Sequence, residues 1–363
     1  MIKKVFSLKK LLIFISIIVI LLCAFMVFAY FYLIGPSEKN GKEVVVYVSE
    51  GQTYSSISSL LKDNKLIKSK VAYKIYIKLN NPKDLEYGNY TLNTSSNVKD
   101  IIETMKKGSE NPDTIKTVTF IEGKNMRYVI DTIVKEFDIT EEEILNTLND
   151  STYLDSLIEK YWFLTKDIKN KNIYYSLEGY LYPDTYEFYT NAKVKDIFKK
   201  MLDNLEIKLS NYKEEIESSK YSIHEMITLS SIIELEAGNA SDRKGVAGVF
   251  YNRLSNNWSL GSDVTTYYAE KIDNFLRDLK QTELDSCNAY NTRSSCMSGK
   301  LPVGPICNAG LKSIESAIEP TKHKYYFFVA DKNGKTYFSK TNSEHVNTVS
   351  KLKKEGLWIE YES

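Results

Sequence analysis

The sequence predicts an α+β protein with a single N-terminal transmembrane helix, small β/α modules after it, and a mainly helical region carrying a β-hairpin. Three observations predict this. Charged side chains are missing from residue 11 to residue 37. Strand-like and helix-like runs alternate between residues 43 and 137. Beyond Thr140 the apolar residues recur at helical spacing, until two aromatic runs flank Asn333-Gly334.

Residues 11–34 read LLIFISIIVILLCAFMVFAYFYLI, with Ser16 the one clearly polar side chain. About 20 apolar residues cross a hydrocarbon core of ~30 Å, so this run is long enough with some tilt. Lys3, Lys4, Lys9 and Lys10 precede it without an acidic residue between them. The positive-inside rule then keeps residues 1–10 in the cytoplasm and sends the chain after Gly35 outward, as expected of a single-pass plasma-membrane protein. A cleaved signal peptide also begins with basic residues. Its apolar core is shorter and ends at a small-residue site, whereas Gly35-Pro36 offers no A-x-A pattern.

Residues 35–42 form a polar linker. VVVYVSEGQTYSSISSLLKDNKLI then reads as a strand, a turn at Glu50-Gly51 and a helix through Ile57, Leu60 and Leu61. YGNYTLNTSSNVKDIIETMKKG repeats that order between Tyr87 and Gly108, and VTFIEGKNMRYVIDTIVKEF repeats it between Val118 and Phe137. The first and third share an E-G turn, a weak internal similarity. A boundary between residues 43–117 and 118–363 is expected. Thr140 with Glu143 three residues on is a capping box. Leu177–Tyr189, aromatic and broken by Pro183, reads as an irregular packed loop. Helices are expected over Val194–Lys208, over Ile223–Glu236 and from a cap at Ser241 through Leu254. Several turns are expected from Asp263 to Ile306, then a helix capped by Asn308 and stopped by Pro320. Last comes a hairpin turning at Asn333-Gly334.

Composition narrows the class. With 363 residues, 43% apolar and four cysteines, the chain is neither collagen-like, disulfide-dense nor wholly disordered. Its net charge of +1 argues against nucleic-acid binding. Cys287 and Cys296 could close a short loop, although an odd number of exported cysteines leaves one over. His224, His323 and His345 match no metal spacing, and neither GxSxG nor GxxxxGK[ST] occurs. A nucleophile built on Cys307 rests on a single thiol in a Gly/Pro loop. No metal and no cofactor are expected.

The informative segment is IHEMITLSSIIELEAG, residues 223–238. On a helical wheel Met226, Leu229, Ile232 and Ile233 share one arc, and Glu236 falls near its middle. Glu234 lies about 160° away. A carboxyl where a core residue belongs is desolvated, and the helix C-terminus also disfavours its charge. Both effects favour a proton donor at neutral pH. A helix end fraying into solvent would give the Glu no such meaning. Downstream, Tyr251, Asn252, Arg253, Asp263, Thr265, Tyr267, Tyr290, Asn291 and Thr292 supply aromatic faces and planar polar groups of the kind that suit a sugar.

At these residues the chain resembles the YceG-like (MltG) family of endolytic murein transglycosylases. The carriers are EGYLYPDTY (178–186), SSIIELEAG (230–238), GVAGVFYNRL (245–254), SDVTTYY (262–268), AYNTR (289–293), LPVGPICNAG (301–310), YYFFVAD (325–331) and TNSEH (341–345). The resemblance covers nearly the whole chain and implies LysM-like modules ahead of a catalytic region. It also implies cleavage of the β-1,4 bond between N-acetylmuramic acid and N-acetylglucosamine in peptidoglycan glycan strands, leaving 1,6-anhydro ends and limiting strand growth. The family's catalytic Glu maps to Glu236. We expect Asp263, Thr265, Asn252, Tyr290, Asn291 and Thr292 around the substrate, with Asp263 shaping or orienting, and cell-wall synthesis proteins as partners.

The chain departs from the family pattern at Val264, Lys300, Val303 and Ala309, and the segment between Thr292 and Leu301 is longer than expected and holds Cys296. The rival expectation is a non-enzymatic envelope scaffold that grips glycan and recruits wall-synthesis partners.

Overall fold

A computed structural model describes residues 8–83, 85–109, 115–275 and 277–358, with side chains from residue 14 onward. The protein is mixed α+β, mostly helical, and divides into two compact units, residues 1–115 and 116–363.

The first unit opens with α1 (Leu8–Ile34), of which Phe14–Ile34 is long and apolar enough to cross a membrane. Its Phe25 and Phe28 stand exposed. Lys3, Lys4 and the side chains of Lys9 and Lys10 lie outside the described residues. β1 (Glu43–Val48) pairs antiparallel with β2 (Gly88–Asn93), from Glu43 opposite Asn93 to Val48 opposite Gly88. α2 (Ser58–Asp63) and α3 (Lys70–Asn80) lie between the strands, and α4 (Val98–Lys106) follows them. Val46, Val48, Tyr90 and Leu92 point from the sheet into one core with Ile57, Leu61, Tyr73, Ile101 and Met105. Burial alternates along β2, as period-2 side-chain direction requires for a sheet covered on one face. Sequence reading passes over α3. Its KIYIK, residues 74–78, alternates polar and apolar residues as a strand would, and Ala72 and Tyr73 are its buried side chains.

β3 (Ile115–Thr119), which enters the second unit after its first residue, pairs with β4 (Thr185–Tyr189). The first two strand–helix stretches therefore share one sheet while the third belongs elsewhere, so their similarity makes no repeat array. The packed loop expected over Leu177–Tyr189 is irregular to Asp184 and then becomes β4, with Tyr186 and Phe188 buried. α5 (Met126–Glu136), α6 (Glu141–Asn149), α7 (Ser151–Lys160), α8 (Val194–Leu209) and α9 (Lys213–Ser218) enclose the larger apolar cluster. The Thr140–Glu143 capping box starts α6.

α10 (Ile223–Glu236) joins this cluster to a second one. Ile223, Met226 and Ile227 pack into the first cluster, and Leu229, Ile232 and Ile233 into the second. Burying each such side chain contributes roughly 1.5–3 kcal/mol. Around the second cluster lie α11 (Arg243–Ser255), α12 (Asp263–Ala269), α13 (Gln281–Asp285) and α14 (Leu311–Ile318). The hairpin β5 (Phe327–Ala330) and β6 (Thr336–Ser339) and then α15 (Asn342–Lys354) complete the unit.

Four expectations need correction. The stretch 263–306 holds α12 and α13 as well as turns. α11 starts after Asp242, while the Ser241 hydroxyl donates to Asn239 Oδ1 at 2.6 Å. Gly310, not Asn308, precedes α14, because the Asn308 side chain is occupied elsewhere, accepting from Leu181 N at 3.2 Å. The hairpin connection spans five residues, since Ala330 faces Thr336. Asp331 Oδ1 organises it by accepting from Asn333 N and Lys335 N, and Gly334 takes the positive φ of +80°.

Candidate active site

α10 is buried nearly all round, with ten of its 14 residues in the core. The loop 301–310 runs alongside it. His224 Nε2 lies 3.0 Å from Val303 O, Ser231 Oγ accepts from Ile306 N at 3.0 Å, and Glu234 Oε2 accepts from Gly310 N at 3.0 Å. The other oxygen of Glu234 accepts from Arg243 Nη2 at 3.0 Å, in a pair whose Glu side chain is 7% exposed. Both carboxylate oxygens of Glu234 are thus engaged, one by the loop and one by α11.

Glu236 ends the helix where Ala237 turns to extended geometry (φ −85°, ψ 114°). Its Oε1 accepts a hydrogen bond from the Ser262 hydroxyl at 2.5 Å. Ser262 stands at the N-cap position of α12, where a serine side chain normally accepts from the helix N–H groups. Here its hydroxyl points to the carboxyl instead, and the Ser262 carbonyl accepts from Thr265 N. Ser262 is itself fixed, since its N–H donates to Thr292 Oγ1 at 3.1 Å. Thr265 Oγ1 lies 2.8 Å from Thr292 Oγ1 and accepts from Thr292 N at 3.0 Å.

Burial pushes the Glu236 carboxyl above the usual carboxylate range, and the neighbouring Asp263 charge pushes the same way. The Ser262 hydrogen bond and the guanidinium groups of Arg253 and Arg293 work in the opposite direction. Arg253 donates through Nε to Tyr326 O at 2.7 Å and through Nη1 to Leu260 O. Arg293 pairs with Asp263 at 3.3 Å and donates to Gly261 O at 3.3 Å. The group can therefore hold a proton, and the carboxylate left after donation meets one hydroxyl and two cations.

The other sequence-predicted residues divide into three groups. Asp263 stands in solvent near Glu236, its side chain 58% exposed. Thr265, Asn291, Thr292 and Tyr290 are fully buried and form the wall behind Ser262. Asn291 Oδ1 accepts from Thr266 Oγ1 at 2.6 Å, and its amide donates to the carbonyls of Glu283, Leu284 and Ser286. Tyr290 packs at a tilt against Tyr174 and edge-on against Tyr268. Asn252 lies on α11 and gives its amide to His323 O and Tyr325 O, both at 2.9 Å, which ties the helix to the approach of β5. Tyr251 and Tyr267 likewise spend their hydroxyls on Ala317 O and Arg277 O.

Sequence reasoning missed Ser262 and Arg293 although both fall in quoted motifs. A serine before an Asp-led helix reads as a cap, and Arg293 acquires its role through pairing across the fold. Glu178 was missed too. It is 1% exposed, accepts from Met126 N and Tyr268 Oη at 2.9 Å each, and is pushed by burial from 4.5 to about 7. Cys307 offers no nucleophile. Burial pushes its thiol well up, it donates to Ser231 O, and the His224 ring is shared between Tyr180 Oη and Val303 O. Among the described residues no group of three or more His, Cys, Asp or Glu side chains could hold a metal ion.

Glu236 is a desolvated carboxyl held by a hydroxyl, with its near neighbour Glu234 locked in an ion pair, an arrangement of the kind that suits proton transfer by a single group. The chain belongs to the YceG-like family, whose model matches residues 46–351. It is 36% identical over 316 residues to an endolytic murein transglycosylase of Bacillus subtilis (strain 168), covering 86% of each chain. It is 30% identical over 331 residues to one of Streptococcus pneumoniae (D39), covering 87% of this chain and 59% of that one. A crystal structure of a yceG-like protein from Listeria monocytogenes superposes with TM-score 0.59 at 34% identity, covering 85% of this chain and all of that one.

Proposed function

We infer that this protein is an endolytic murein transglycosylase with Glu236 as its acid and base. The observation that carries the assignment is the environment of that carboxyl: desolvated, held by Ser262, and flanked by a Glu234 whose two oxygens are already engaged. Glu236 protonates the bridging oxygen of the MurNAc–GlcNAc bond, which leaves as the 4-hydroxyl of GlcNAc. The muramyl 6-hydroxyl attacks C1, its proton passes to the Glu236 carboxylate, and a 1,6-anhydro ring closes without consuming water. Ordinary glycosidases need a second carboxylate as base or nucleophile. Here the nucleophile belongs to the substrate, so one group suffices. Asp263 tunes the acid and, with Arg293, borders the place where the sugar must sit. Thr265, Tyr290, Asn291 and Thr292 support Ser262 from behind, and Asn252 holds the hairpin to α11.

Residues 43–117 serve in this reading as a LysM-like grip on the same glycan, and residues 118–363 as the catalytic domain. Residues 11–34 anchor the enzyme in the plasma membrane with residues 1–10 inside, so that it cuts nascent strands near their point of synthesis, beside wall-synthesis proteins. Mass analysis of digested glycan strands tests the chemistry. The wild type gives anhydro-ended products, and Glu236→Gln gives none. Undiminished anhydro ends from Glu236→Gln, or reducing ends from the wild type, would overturn it.

A further inference from the structure

Behind Ser262 stands the loop that carries Tyr290, Asn291, Thr292 and Arg293, and Cys287 and Cys296 form a disulfide across its base, nine residues apart. We propose that this disulfide is the clasp that positions the acid, by holding Thr292 against Ser262 and Arg293 against Asp263. The inference rests on the assignment of Glu236 above. The chain beside the two cysteines is tied to the carboxyl by a short run of hydrogen bonds, and Ser294 Oγ lies 3.4 Å from Cys296 Sγ. Cys287 follows α13, whose end is tied to the loop by Asn291 Nδ2 on Ser286 O at 2.8 Å and Ser294 Oγ on Asp285 O at 3.3 Å. Within the loop Arg293 N donates to Asn291 Oδ1 at 3.1 Å. Thr292 then receives Ser262 N, and Ser262 Oγ reaches Glu236. The charged groups facing Glu236 are Asp263 from α12, Arg253 from α11 and Arg293 from the loop. The clasp thus controls one cation and, through Ser262, the hydrogen bond.

The loop's buried hydrogen bonds through Asn291 do not involve the sulfurs, so opening the clasp loosens the site without unfolding the domain. Reduction adds two electrons and two protons across the S–S bond to give two thiols, while a dithiol reductant is oxidised to its own disulfide. Cys307 is buried and outside this exchange.

The test uses the full chain in four forms: oxidised, reduced with dithiothreitol, reoxidised after that reduction, and the double variant Cys287→Ser/Cys296→Ser. The reduced and variant enzymes should lose about tenfold or more in kcat, the scale of a small misplacement of catalytic groups, with KM changing less than about threefold. The alkaline limb of the kcat profile should move upward, since Ser262 and Arg293 both hold the carboxylate form. Reoxidation should restore both. Hydrogen exchange at the Ser262 and Thr292 amides, which needs no activity, should quicken on reduction. Unchanged kcat and exchange would overturn the proposal, as would a fall in kcat with an unmoved limb, which would mark loosening without positioning. If the oxidised wild type releases no anhydro ends, the functional assignment fails, and the exchange measurement alone then judges the clasp.

Discussion

Glu234 and Glu236 stand two residues apart on one helix, yet their surroundings give them opposite parts. Arg243 and the Gly310 amide take both oxygens of the first, whereas the second meets a serine hydroxyl and a balance of charges. Two substitutions should move that balance in opposite directions. Arg293→Gln removes a cation that favours the carboxylate, so the alkaline limb of the rate profile should rise. Asp263→Asn removes an anion that disfavours it, so the limb should fall. Glu178 should mark stability instead. Its folded-state value of about 7 lies above its ordinary 4.5, so the folded state prefers the protonated form. The associated stability is fully present below pH 4.5 and is lost as pH rises through 7. The loss is roughly 3 kcal/mol at about 1.4 kcal/mol per unit. Urea unfolding from pH 4.5 to 8 should show this decline in the wild type and a flatter course in Glu178→Gln.

At the scale of elements, α10 and the loop 301–310 hold the site together. Asn308 joins three parts of the chain, since its side chain accepts from Leu181 N and donates to Lys124 O, and its backbone carbonyl accepts from Gly123 N. Asn308→Ala leaves a buried N–H unpaired and should lower stability by roughly 1–3 kcal/mol, read from thermal or urea unfolding. Gly179 has φ +82°, and a Cβ there would lie 2.3 Å from Pro305 Cβ. Gly179→Ala should cost roughly 2–4 kcal/mol, combining left-handed backbone with overpacking, and should lower Tm accordingly. Helical periodicity sets Glu236 apart from Glu234 by the side of the helix it occupies, and the structure sets the two apart by their hydrogen-bond partners. Periodicity assumes one wet face, whereas α10 has core on nearly every side, so desolvation alone does not separate Glu236 from Glu234. Their hydrogen-bond partners separate them: Ser262 for Glu236, 26 residues away, and for Glu234 both Arg243 on α11 and Gly310, 76 residues away.

Across the whole molecule, the second unit is organised as two apolar clusters sharing one central helix, and the N-terminal unit as a two-stranded sheet with its own core. A change that loosens α10 should therefore disturb both clusters at once. The apolar helix at Phe14–Ile34 makes a separate prediction. Deleting residues 1–34 should move the protein from the membrane fraction to the soluble fraction while anhydro-product formation by the released domain persists on isolated strands. Retention in the membrane fraction would require another anchor.

By itself the sequence determined the features written in local spacing. These are the uncharged apolar run, the capping box at Thr140, the bounds of α10, the hairpin and the placement of Glu236 at a helix end. Each follows from the period of side-chain direction or from a cap a few residues away. Only the tertiary structure decided that Glu234 is engaged, that Ser262 donates to Glu236 and leaves the cap unmade, that Asn308 is a tie, and that Cys287 meets Cys296. Those outcomes depend on which distant groups arrive at the same buried place. A hydroxyl or amide with several partners in reach favours the one that leaves the fewest buried polar groups unpaired.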